Sequence, residues 1–382
     1  MADRFDILVI GAGVAGLSAA AALAGSARVA VLEAEDQPGY HATGRSAAIL
    51  AQNYGNGLIR ALTAASLPFF DTPPEGFAAA PLLSPRGLVR IARADQRPQL
   101  EAAFRDMAAD TALRWLDADA VAERIPLLRP GYAAAGFENP DAADIDVHAL
   151  MQGWQRQLTA AGGTVRTCAG VQRIARVNGE WLCDTPGGPV AAPILVNAAG
   201  AWADRVADMA GVARIGLMPL RRSAATFDAP EGVDLAGFPM TVDADEAFYM
   251  KPEAGRLLAS PADETPAVPG DVRPEELDIA HAIDRVQTAF AVEVRHIRAS
   301  WAGLRSFVAD RAPVVGFDDG ARGYFWLAAQ GGYGVQTAPA LARFAADSIL
   351  HPGAAPEIAG VPADALAPHR IRTNRTQQGG TS

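Results

Sequence analysis

An uncharged stretch near the amino terminus is the feature that most limits how this chain can fold. Residues 7–27 are 21 consecutive residues without a charge, a length sufficient to cross a bilayer. Glycines at positions 11, 13, 16 and 25 interrupt the stretch, and the residues before it are net negative. A signal peptide or membrane anchor favours basic flanking residues and an unbroken apolar core. We therefore expect two buried elements and no integral membrane segment.

The stretch predicts a strand, a glycine turn and a helix. Residues Phe5 to Ile10 are rich in β-branched side chains, which suits a central parallel strand. The turn is Gly11-Ala12-Gly13-Val14-Ala15-Gly16, and an alanine-rich helix over Leu17 to Leu23 follows, ending at Gly25. In such a G-x-G-x-x-G turn the first glycine permits a tight bend, the second admits a pyrophosphate, and the third lets helix and strand pack closely.

The surroundings of this turn favour a bound dinucleotide over a turn without a ligand. A second strand is predicted over Arg28 to Leu32, and it ends at Glu33, followed by Ala34. A carboxylate at this position is suited to bind the adenosine ribose. The sequence therefore predicts an α/β fold with a Rossmann-like cofactor domain. The expected contacts here are Gly11, Gly13, Ala15, Gly16, Glu33 and Ala34.

The next loop distinguishes the candidate dinucleotides. A simple NAD-binding domain normally continues with another helix and strand, whereas residues 37–48 are dense in glycine and hydroxyl groups. The alternative for such a loop on its own is an ordinary surface turn, which is the less favoured of the two. Its composition suits a cofactor with an extended flavin half. The expected FAD contacts in it are Thr43, Gly44, Arg45, Ser46 and Ala47.

Two later segments repeat the pattern of a strand followed by small residues. Residues 194–202 predict a buried strand that ends at small residues, with a helix from Ala201 onward. Residues 324–328 predict an apolar strand, and the glycine-rich segment after it begins a helix that extends to about Leu350. The positive end of a helix stabilises the negative charge that accumulates on a reduced flavin. The expected cofactor contacts from these parts of the chain are Val171, Asn197, Ala198, Gly200, Gly331, Gly332, Tyr333, Gly334 and Gln336.

Motifs along nearly the whole chain resemble the FAD-dependent D-amino-acid oxidase and dehydrogenase superfamily, with the greatest likeness to bacterial D-arginine dehydrogenases. They are Gln-Pro-Gly-Tyr-His-Ala-Thr-Gly-Arg-Ser-Ala-Ala at 37–48, Arg-Ala-Leu-Thr-Ala-Ala-Ser at 60–66, Leu-Leu-Ser-Pro-Arg at 82–86, Leu-Val-Asn-Ala-Ala-Gly-Ala-Trp at 195–202, Arg-Arg-Ser-Ala at 221–224, Phe-Tyr-Met-Lys-Pro at 248–252, Trp-Ala-Gly-Leu-Arg-Ser-Phe at 301–307 and Ala-Ala-Gln-Gly-Gly-Tyr-Gly-Val-Gln-Thr at 328–337. The resemblance implies non-covalent FAD and oxidation of a D-amino acid by hydride transfer from Cα to flavin N5. The imino acid would hydrolyse to a 2-oxo acid and ammonia, and a quinone, a dye-like carrier or oxygen would accept the electrons.

The flavin motifs are scattered, which indicates two discontinuous domains. We expect the FAD-binding domain over residues 1–50, 141–215 and 310–382, and an α+β substrate-binding domain over 51–140 and 216–309. The resemblance implies that the second domain carries a mostly antiparallel sheet facing the flavin.

Arginines are the natural candidates to bind the substrate carboxylate, because a guanidinium forms two parallel hydrogen bonds with it. Arg222 and Arg305 lie in motifs shared with the superfamily and in apolar predicted strands, where burial without an anion is costly. The alternative for each is an ion pair with one of the 43 acidic residues.

The resemblance adds four further site residues. Tyr54 and Tyr249 match pocket tyrosines that contact the carboxylate or cover the substrate, although either could equally be a core aromatic. The Gly332 carbonyl is positioned in the motif to accept a hydrogen bond from the substrate amine, and Gln336 to steady that loop. No dedicated base is evident, and the nearby histidines His41 and His148 have no carboxylate partner in a catalytic arrangement.

One departure from the superfamily bears on specificity. Arginine-preferring relatives carry a carboxylate after Leu-Leu-Ser-Pro-Arg, whereas this chain has Gly87-Leu88-Val89. A guanidinium side chain would lose its partner there. Apolar lining is expected from Ile49, Leu88, Met240 and Val242. We therefore predict a preference for neutral, apolar D-amino acids over D-arginine.

Composition excludes other classes. The formal charge of −10 disfavours nucleic acid as a partner, the six histidines show no metal-binding spacing, and two cysteines favour a reducing, cytoplasmic compartment. Two alternatives to D-amino-acid oxidation stay open. One is oxidation of a 2-hydroxy acid or of an N-methyl or secondary amino acid, which a carboxylate-binding site also serves. The other is a flavin-binding protein without turnover.

Overall fold

Two large β-sheets, one mainly parallel and one mainly antiparallel, organise the computed structural model, which describes residues 2–109, 111–353 and 356–371. The α-helices are α1 (Val14–Ala24), α2 (Gly57–Asp71), α3 (Arg97–Met107), α4 (Ala118–Arg124), α5 (Val147–Ala160), α6 (Ala203–Met209), α7 (Glu276–Ala289) and α8 (Gly334–Leu350). The β-strands are β1 (Asp3–Arg4), β2 (Ile7–Ile10), β3 (Val29–Leu32), β4 (Ile49–Leu50), β5 (Leu83–Pro85), β6 (Leu88–Ala92), β7 (Arg114–Asp117), β8 (Ala135–Asn139), β9 (Ala143–Ile145), β10 (Thr164–Arg166), β11 (Arg173–Val177), β12 (Glu180–Asp184), β13 (Val190–Ala192), β14 (Ile194–Asn197), β15 (Met218–Phe227), β16 (Met240–Asp243), β17 (Tyr249–Glu253), β18 (Arg256–Ser260), β19 (Thr265–Pro266), β20 (Ile297–Phe307), β21 (Val314–Phe317) and β22 (Tyr324–Ala328). The end of the predicted segment 310–382, residues 372–382, lies outside the described residues.

The six-stranded sheet has the order β10-β3-β2-β14-β22-β21, and all its pairs are parallel except β21 with β22. The uncharged amino-terminal stretch supplies β2, the glycine turn and α1, all largely buried. Within the described residues, no helix combines the length and apolar character that a bilayer crossing requires. The predicted Rossmann-like α/β arrangement is confirmed.

Close contacts explain two of the turn glycines. Gly11 has φ of 101°, and a Cβ there would lie 2.6 Å from the Ala198 carbonyl oxygen. A Cβ at Gly16 would lie 1.9 Å from the Gly11 carbonyl oxygen, so only glycine lets α1 pack this closely. The tight bend and the close packing predicted for these positions are confirmed.

Several element boundaries differ from the sequence predictions. The strand expected from Phe5 begins at Ile7, because Asp3–Arg4 pairs with Val190–Ala191 in a separate four-stranded sheet. The helix α1 begins at Val14, three residues before the predicted start, because the glycine turn leads directly into helical backbone. The carboxylates of Asp117 and Asp146 accept hydrogen bonds from Ala120 N and Ala149 N and cap α4 and α5.

The nine-stranded sheet, called the platform sheet below, has the order β19-β15-β18-β17-β16-β6-β8-β7, with β20 also pairing β15. Only the pair of β6 with β16 is parallel; the other pairs are antiparallel, as predicted. The pairing of β15 with β20 places Arg222 opposite Gly303 and Arg305 opposite Leu220. Both predicted substrate arginines therefore lie on neighbouring strands of one sheet.

Candidate cofactor and substrate site

Three connected cavities lie between the glycine turn and the platform sheet. The turn cavity adjoins the end of β2 and is lined by Gly11, Glu33 and Ala34 among others. The central cavity shares with it Gly13, His41, Ala42, Thr43, Ala198, Gly200 and Trp202. The platform cavity shares with the central cavity Ser46, Ala47, Arg222, Tyr249, Arg305, Gly332 and Val335. The three form one elongated site.

The turn cavity holds a fixed carboxylate beside the glycine turn. Glu33 Oε2 accepts a hydrogen bond from Ala12 N at 2.6 Å, and Oε1 accepts one from Glu35 N at 3.0 Å. Each oxygen can accept a further bond, so Glu33 can still bind ribose hydroxyls. At the start of α1, Val14 N donates to Thr43 Oγ1 at 3.0 Å, and Gly13 has no side-chain cap. The helix start therefore offers its remaining N–H groups to a pyrophosphate.

The central cavity contains polar atoms that need a partner. Ser306 Oγ and Gln330 Nε2 are buried and have no hydrogen-bond partner among the residues that the structure describes. Both residues line this cavity. A Cβ at Gly200, which has φ of 52°, would meet nothing within 4 Å. An elongated ligand with polar ring edges, such as FAD, fits these features because buried polar groups require hydrogen-bond partners.

Most predicted cofactor residues line these cavities. They are Gly11, Gly13, Ala15, Glu33, Ala34, Thr43, Arg45, Ser46, Ala47, Val171, Ala198, Gly200, Gly331, Gly332, Gly334 and Gln336. Sequence reasoning missed His41 and Trp202 as cavity residues; their ring centroids lie 4.6 Å apart, and His41 also pairs with Glu35. The position of His41 inside the glycine-rich loop 37–48 is the signal that could have identified it.

Four predicted cofactor residues line none of the three cavities, and their contacts with the cofactor stay predictions. Gly16 packs against Gly11, and Gly44 N bonds to the Gly39 carbonyl oxygen inside its loop. Asn197 is fully buried, and its Nδ2 bonds to Ala203 O and Tyr324 Oη. Tyr333 packs on Tyr54 with ring centroids 4.9 Å apart, and burial raises its pKa to about 12. These residues shape the loops instead of lining the cavities.

Arg45 joins the glycine-rich loop to the substrate side of the molecule. Its Nη1 donates to Val272 O at 3.1 Å and to Ala302 O at 2.9 Å, and it forms an ion pair with Asp271. Trp301 Nε1 donates back to Arg45 O at 3.0 Å. The guanidinium of Arg45 is therefore engaged by other protein groups. Arg45 forms part of the wall of the central cavity and joins the glycine-rich loop to Val272 and Ala302.

Arg305 is the principal cation of the platform cavity. It extends from β20, and its Nη1 donates to Tyr54 Oη at 3.4 Å. Among the described residues no carboxylate forms an ion pair with it. Burial acts to lower the pKa of Arg305, whereas Tyr54 and Tyr249 act to raise it, and the pKa is raised overall. An arginine guanidinium stays protonated in proteins. A charged arginine without an anionic partner, facing a cavity, is suited to bind a carboxylate.

Arg222 lines the same cavity but has partners of its own. Its Nε donates to Asp263 O at 2.7 Å, and its Nη2 lies 3.4 Å from Glu264 Oε1. The ion-pair alternative from the sequence therefore holds in part for Arg222. Its remaining N–H groups can assist Arg305, so the two predicted arginines are not equivalent.

The other predicted substrate residues surround the same space. Tyr54, Tyr249, Gly332 and Gln336 all line the platform cavity. Gln336 Nε2 donates to Thr63 Oγ1 at 2.8 Å, so Gln336 ties α8 to α2. The predicted apolar residues line this cavity as well; they are Ile49, Leu88, Met240 and Val242.

An ion pair in this cavity was missed by sequence reasoning. Arg90 and Glu246 both line the platform cavity, and Arg90 Nη2 lies 3.0 Å from Glu246 Oε1. The signal for Arg90 was present, since it follows Leu88 at the period of two that puts both side chains on one face of a strand. Glu246 lies in the turn after β16 and had no such signal.

Gly332 provides a test of how tightly Arg305 is held. A Cβ at this position would lie 2.7 Å from Arg305 Nη1 and 3.0 Å from Arg305 Cζ. We expect Gly332→Ala to displace the guanidinium and to lower kcat/KM by roughly tenfold or more, since small misplacements of binding groups are costly. Because Gly332 also lines the central cavity, bound FAD would be measured from the flavin absorbance and kcat/KM expressed per bound flavin. Gly57→Ala is the matched control because its Cβ would meet nothing within 4 Å, and an equal loss there would contradict this interpretation.

Comparison with known proteins gives related sequences and folds. Dimethylglycine dehydrogenase of Mus musculus is 28% identical over 256 residues, which cover 62% of this chain and 29% of that protein. The alignment thus spans less than a third of that relative. L-proline dehydrogenase from P. horikoshii superposes with a TM-score of 0.82 at 20% identity, covering 98% of this chain and 99% of that one. Glycine oxidase from Geobacillus kaustophilus gives a TM-score of 0.79 at 22% identity, covering 94% and 97%.

The Rossmann-like sheet, the elongated three-part cavity and the platform sheet define a flavin-dependent oxidoreductase. Residues 6–348 match the FAD dependent oxidoreductase family, DAO, and the chain belongs to this family. Its cofactor is FAD, as predicted. The superfamily predicted from the sequence motifs is confirmed, and the finer likeness to D-arginine dehydrogenases stays a prediction.

Proposed function

We propose that this protein oxidises D-amino acids with a neutral side chain to imino acids, with Arg305 binding the substrate carboxylate. The observation that carries this proposal is the charged Arg305, which has no carboxylate partner among the described residues and lies where the central and platform cavities join. Bound FAD supplies the hydride acceptor for such an oxidation. The imino acid would then hydrolyse to a 2-oxo acid and ammonia.

The protein contributes binding and orientation. Arg305 fixes the carboxylate by a bidentate interaction, and the Tyr54 hydroxyl beside it adds a donor. The Gly332 carbonyl accepts a hydrogen bond from the amine and keeps Cα at the side of the cofactor. Tyr249, which is almost fully buried on β17, closes the cavity against water. The side chain then lies against the apolar wall of Leu88, Met240 and Val242.

A second candidate is the oxidation of an N-methyl or secondary amino acid. The names of the relatives favour it, since they include dimethylglycine dehydrogenase and L-proline dehydrogenase. The same carboxylate site serves both candidates, and they differ in what surrounds the amine. A 2-hydroxy acid would also fit the carboxylate site but would place a hydroxyl at the Gly332 carbonyl.

Anaerobic flavin reduction separates these candidates. The FAD-loaded protein would be mixed with D-leucine, D-methionine, D-phenylalanine and D-arginine, their L-enantiomers, N-methylglycine, L-proline and a 2-hydroxy acid. We expect the neutral D-amino acids to bleach the flavin fastest, because the cavity wall beyond Arg305 is apolar. Faster bleaching by N-methylglycine or L-proline would favour the second candidate, and no bleaching by any compound would support a flavin-binding protein without turnover. Admitting oxygen afterwards would show whether oxygen or another carrier accepts the electrons.

A further inference from the structure

The ion pair of Arg90 and Glu246 occupies a defined place on the platform sheet. Arg90 lies opposite Val242, and Val242 lies opposite Tyr249, so the three residues form one row across β6, β16 and β17. Adjacent strands are about 4.8 Å apart, which separates the Arg90 and Tyr249 backbones by about 10 Å. A substrate side chain that extended from Arg305 and Tyr249 across Val242 would reach Arg90.

The two members of the pair are held differently. The Arg90 side chain is 9% exposed, and its Nη1 also donates to Ala244 O at 3.2 Å. Glu246 is 51% exposed and has φ of 55° in a turn that Asp243 organises by accepting bonds from Asp245 N and Ala247 N. Arg90 is thus a fixed buried cation, and Glu246 is a counter-charge that reaches it from the rim of the cavity.

We propose, on the basis of the proposed function, that the Arg90–Glu246 ion pair is a charge filter that admits uncharged substrate side chains and rejects charged ones. A cationic side chain meets the fixed guanidinium of Arg90, whose negative partner is already engaged. An anionic side chain has to displace Glu246 before it can reach Arg90. An uncharged side chain leaves the pair intact and contacts Leu88, Met240 and Val242, so it binds without separating two charges.

The charge filter is tested by two variants, each of which removes the charge of one member of the ion pair. Glu246→Gln leaves Arg90 without its anion, and Arg90→Gln leaves Glu246 without its cation. The ligands are three carboxylates of similar length that differ at the far end: pentanoate, glutarate and 5-aminopentanoate. Their Kd values would be measured on the FAD-loaded protein from the perturbation of the flavin spectrum, which needs no turnover.

The native protein should bind pentanoate most tightly. In Glu246→Gln we expect the Kd of glutarate to fall by about tenfold or more relative to pentanoate, and in Arg90→Gln the Kd of 5-aminopentanoate to fall similarly, as charge-assisted hydrogen bonds are gained. Glu246 is half-exposed, so its variant should fold even if Arg90→Gln does not. Glu101→Gln, which removes one member of the exposed pair with Arg97 on α3, is the matched control and should change none of the ratios.

The Kd ratios test the charge filter and the amino-acid panel tests the proposed substrate, so either hypothesis can be wrong without the other. If glutarate and pentanoate keep their native Kd ratio in Glu246→Gln, the filter is wrong even where D-amino acids are oxidised. If the ratios change as expected while no D-amino acid reduces the flavin, the filter stands and the proposed substrate is wrong.

Discussion

Replacing Arg305 with methionine is expected to lower kcat/KM by about 10²- to 10³-fold, with bound FAD unchanged. Removing one partner of a desolvated, hydrogen-bonded charge pair costs about 2–5 kcal/mol, or roughly 30- to 5,000-fold, and the expected loss lies within this range. Methionine keeps the apolar stem of the side chain and removes only the charged fork. The loss should appear mainly in KM if Arg305 binds substrate and transition state equally, and in kcat also if it aligns Cα. Steady-state kinetics with the best substrate of the panel measures both.

Two further variants show whether the effect is specific. Arg305→Lys keeps the charge without the fork and should recover part of the lost activity. Arg295→Met removes an exposed cation whose partner is Glu293, and it should leave kcat/KM unchanged. A loss in Arg305→Met of less than threefold would show that the carboxylate binds elsewhere, with Arg222 the first residue to test.

Glu33→Ala is expected to raise the Kd for FAD on the order of 100-fold and to yield protein largely free of flavin. The substitution removes the acceptor for the ribose and also leaves Ala12 N and Glu35 N without their hydrogen-bond partner. Because FAD stabilises the folded state by mass action, the Tm should also fall and recover when FAD is added in excess. Flavin absorbance relative to protein and a thermal melt with and without added FAD measure the two effects.

Glu35→Ala is the matched control for this prediction. Glu35 lies two residues further along, pairs with His41 at 2.8 Å and does not line the turn cavity. The Glu35→Ala variant should bind FAD with nearly native affinity. Equal FAD loss in both variants would show that the loop after β3 is being disturbed generally, and the assigned role of Glu33 would be wrong.

The sequence predicted those features that depend on local backbone geometry. The glycine turn, its strand and its helix follow from residue type and spacing, and Gly11 and Gly16 show the close contacts that forbid a side chain. The caps that Asp117 and Asp146 form in the structure are equally local, since each carboxylate accepts a hydrogen bond from the N–H group three residues further on. Such signals do not require knowledge of distant parts of the chain.

The sequence could not predict which distant side chains meet. Nothing local in the sequence distinguishes Arg222, which bonds to Asp263 and Glu264, from Arg305, which has no such partner. Arg90 and Glu246 are separated by more than 150 residues and meet only through the parallel pairing of β6 with β16. The sequence predicted Asn197 as a cofactor contact because its motif resembles a flavin-binding motif. In the structure its side chain donates a hydrogen bond to Tyr324. Motifs locate a site, whereas tertiary contacts decide the role of each residue in it.

The strand order of the parallel sheet has a consequence for how the holoprotein is made. The glycine turn follows β2. The opposite wall of the cavity comes from the residues after β14, which pairs with β2, and after β22, which pairs with β14. A ribosome therefore releases the phosphate-binding turn some 300 residues before the strand β22 that completes the sheet around it. A cavity bounded by both the glycine turn and the residues after β22 therefore forms only once β22 has been synthesised.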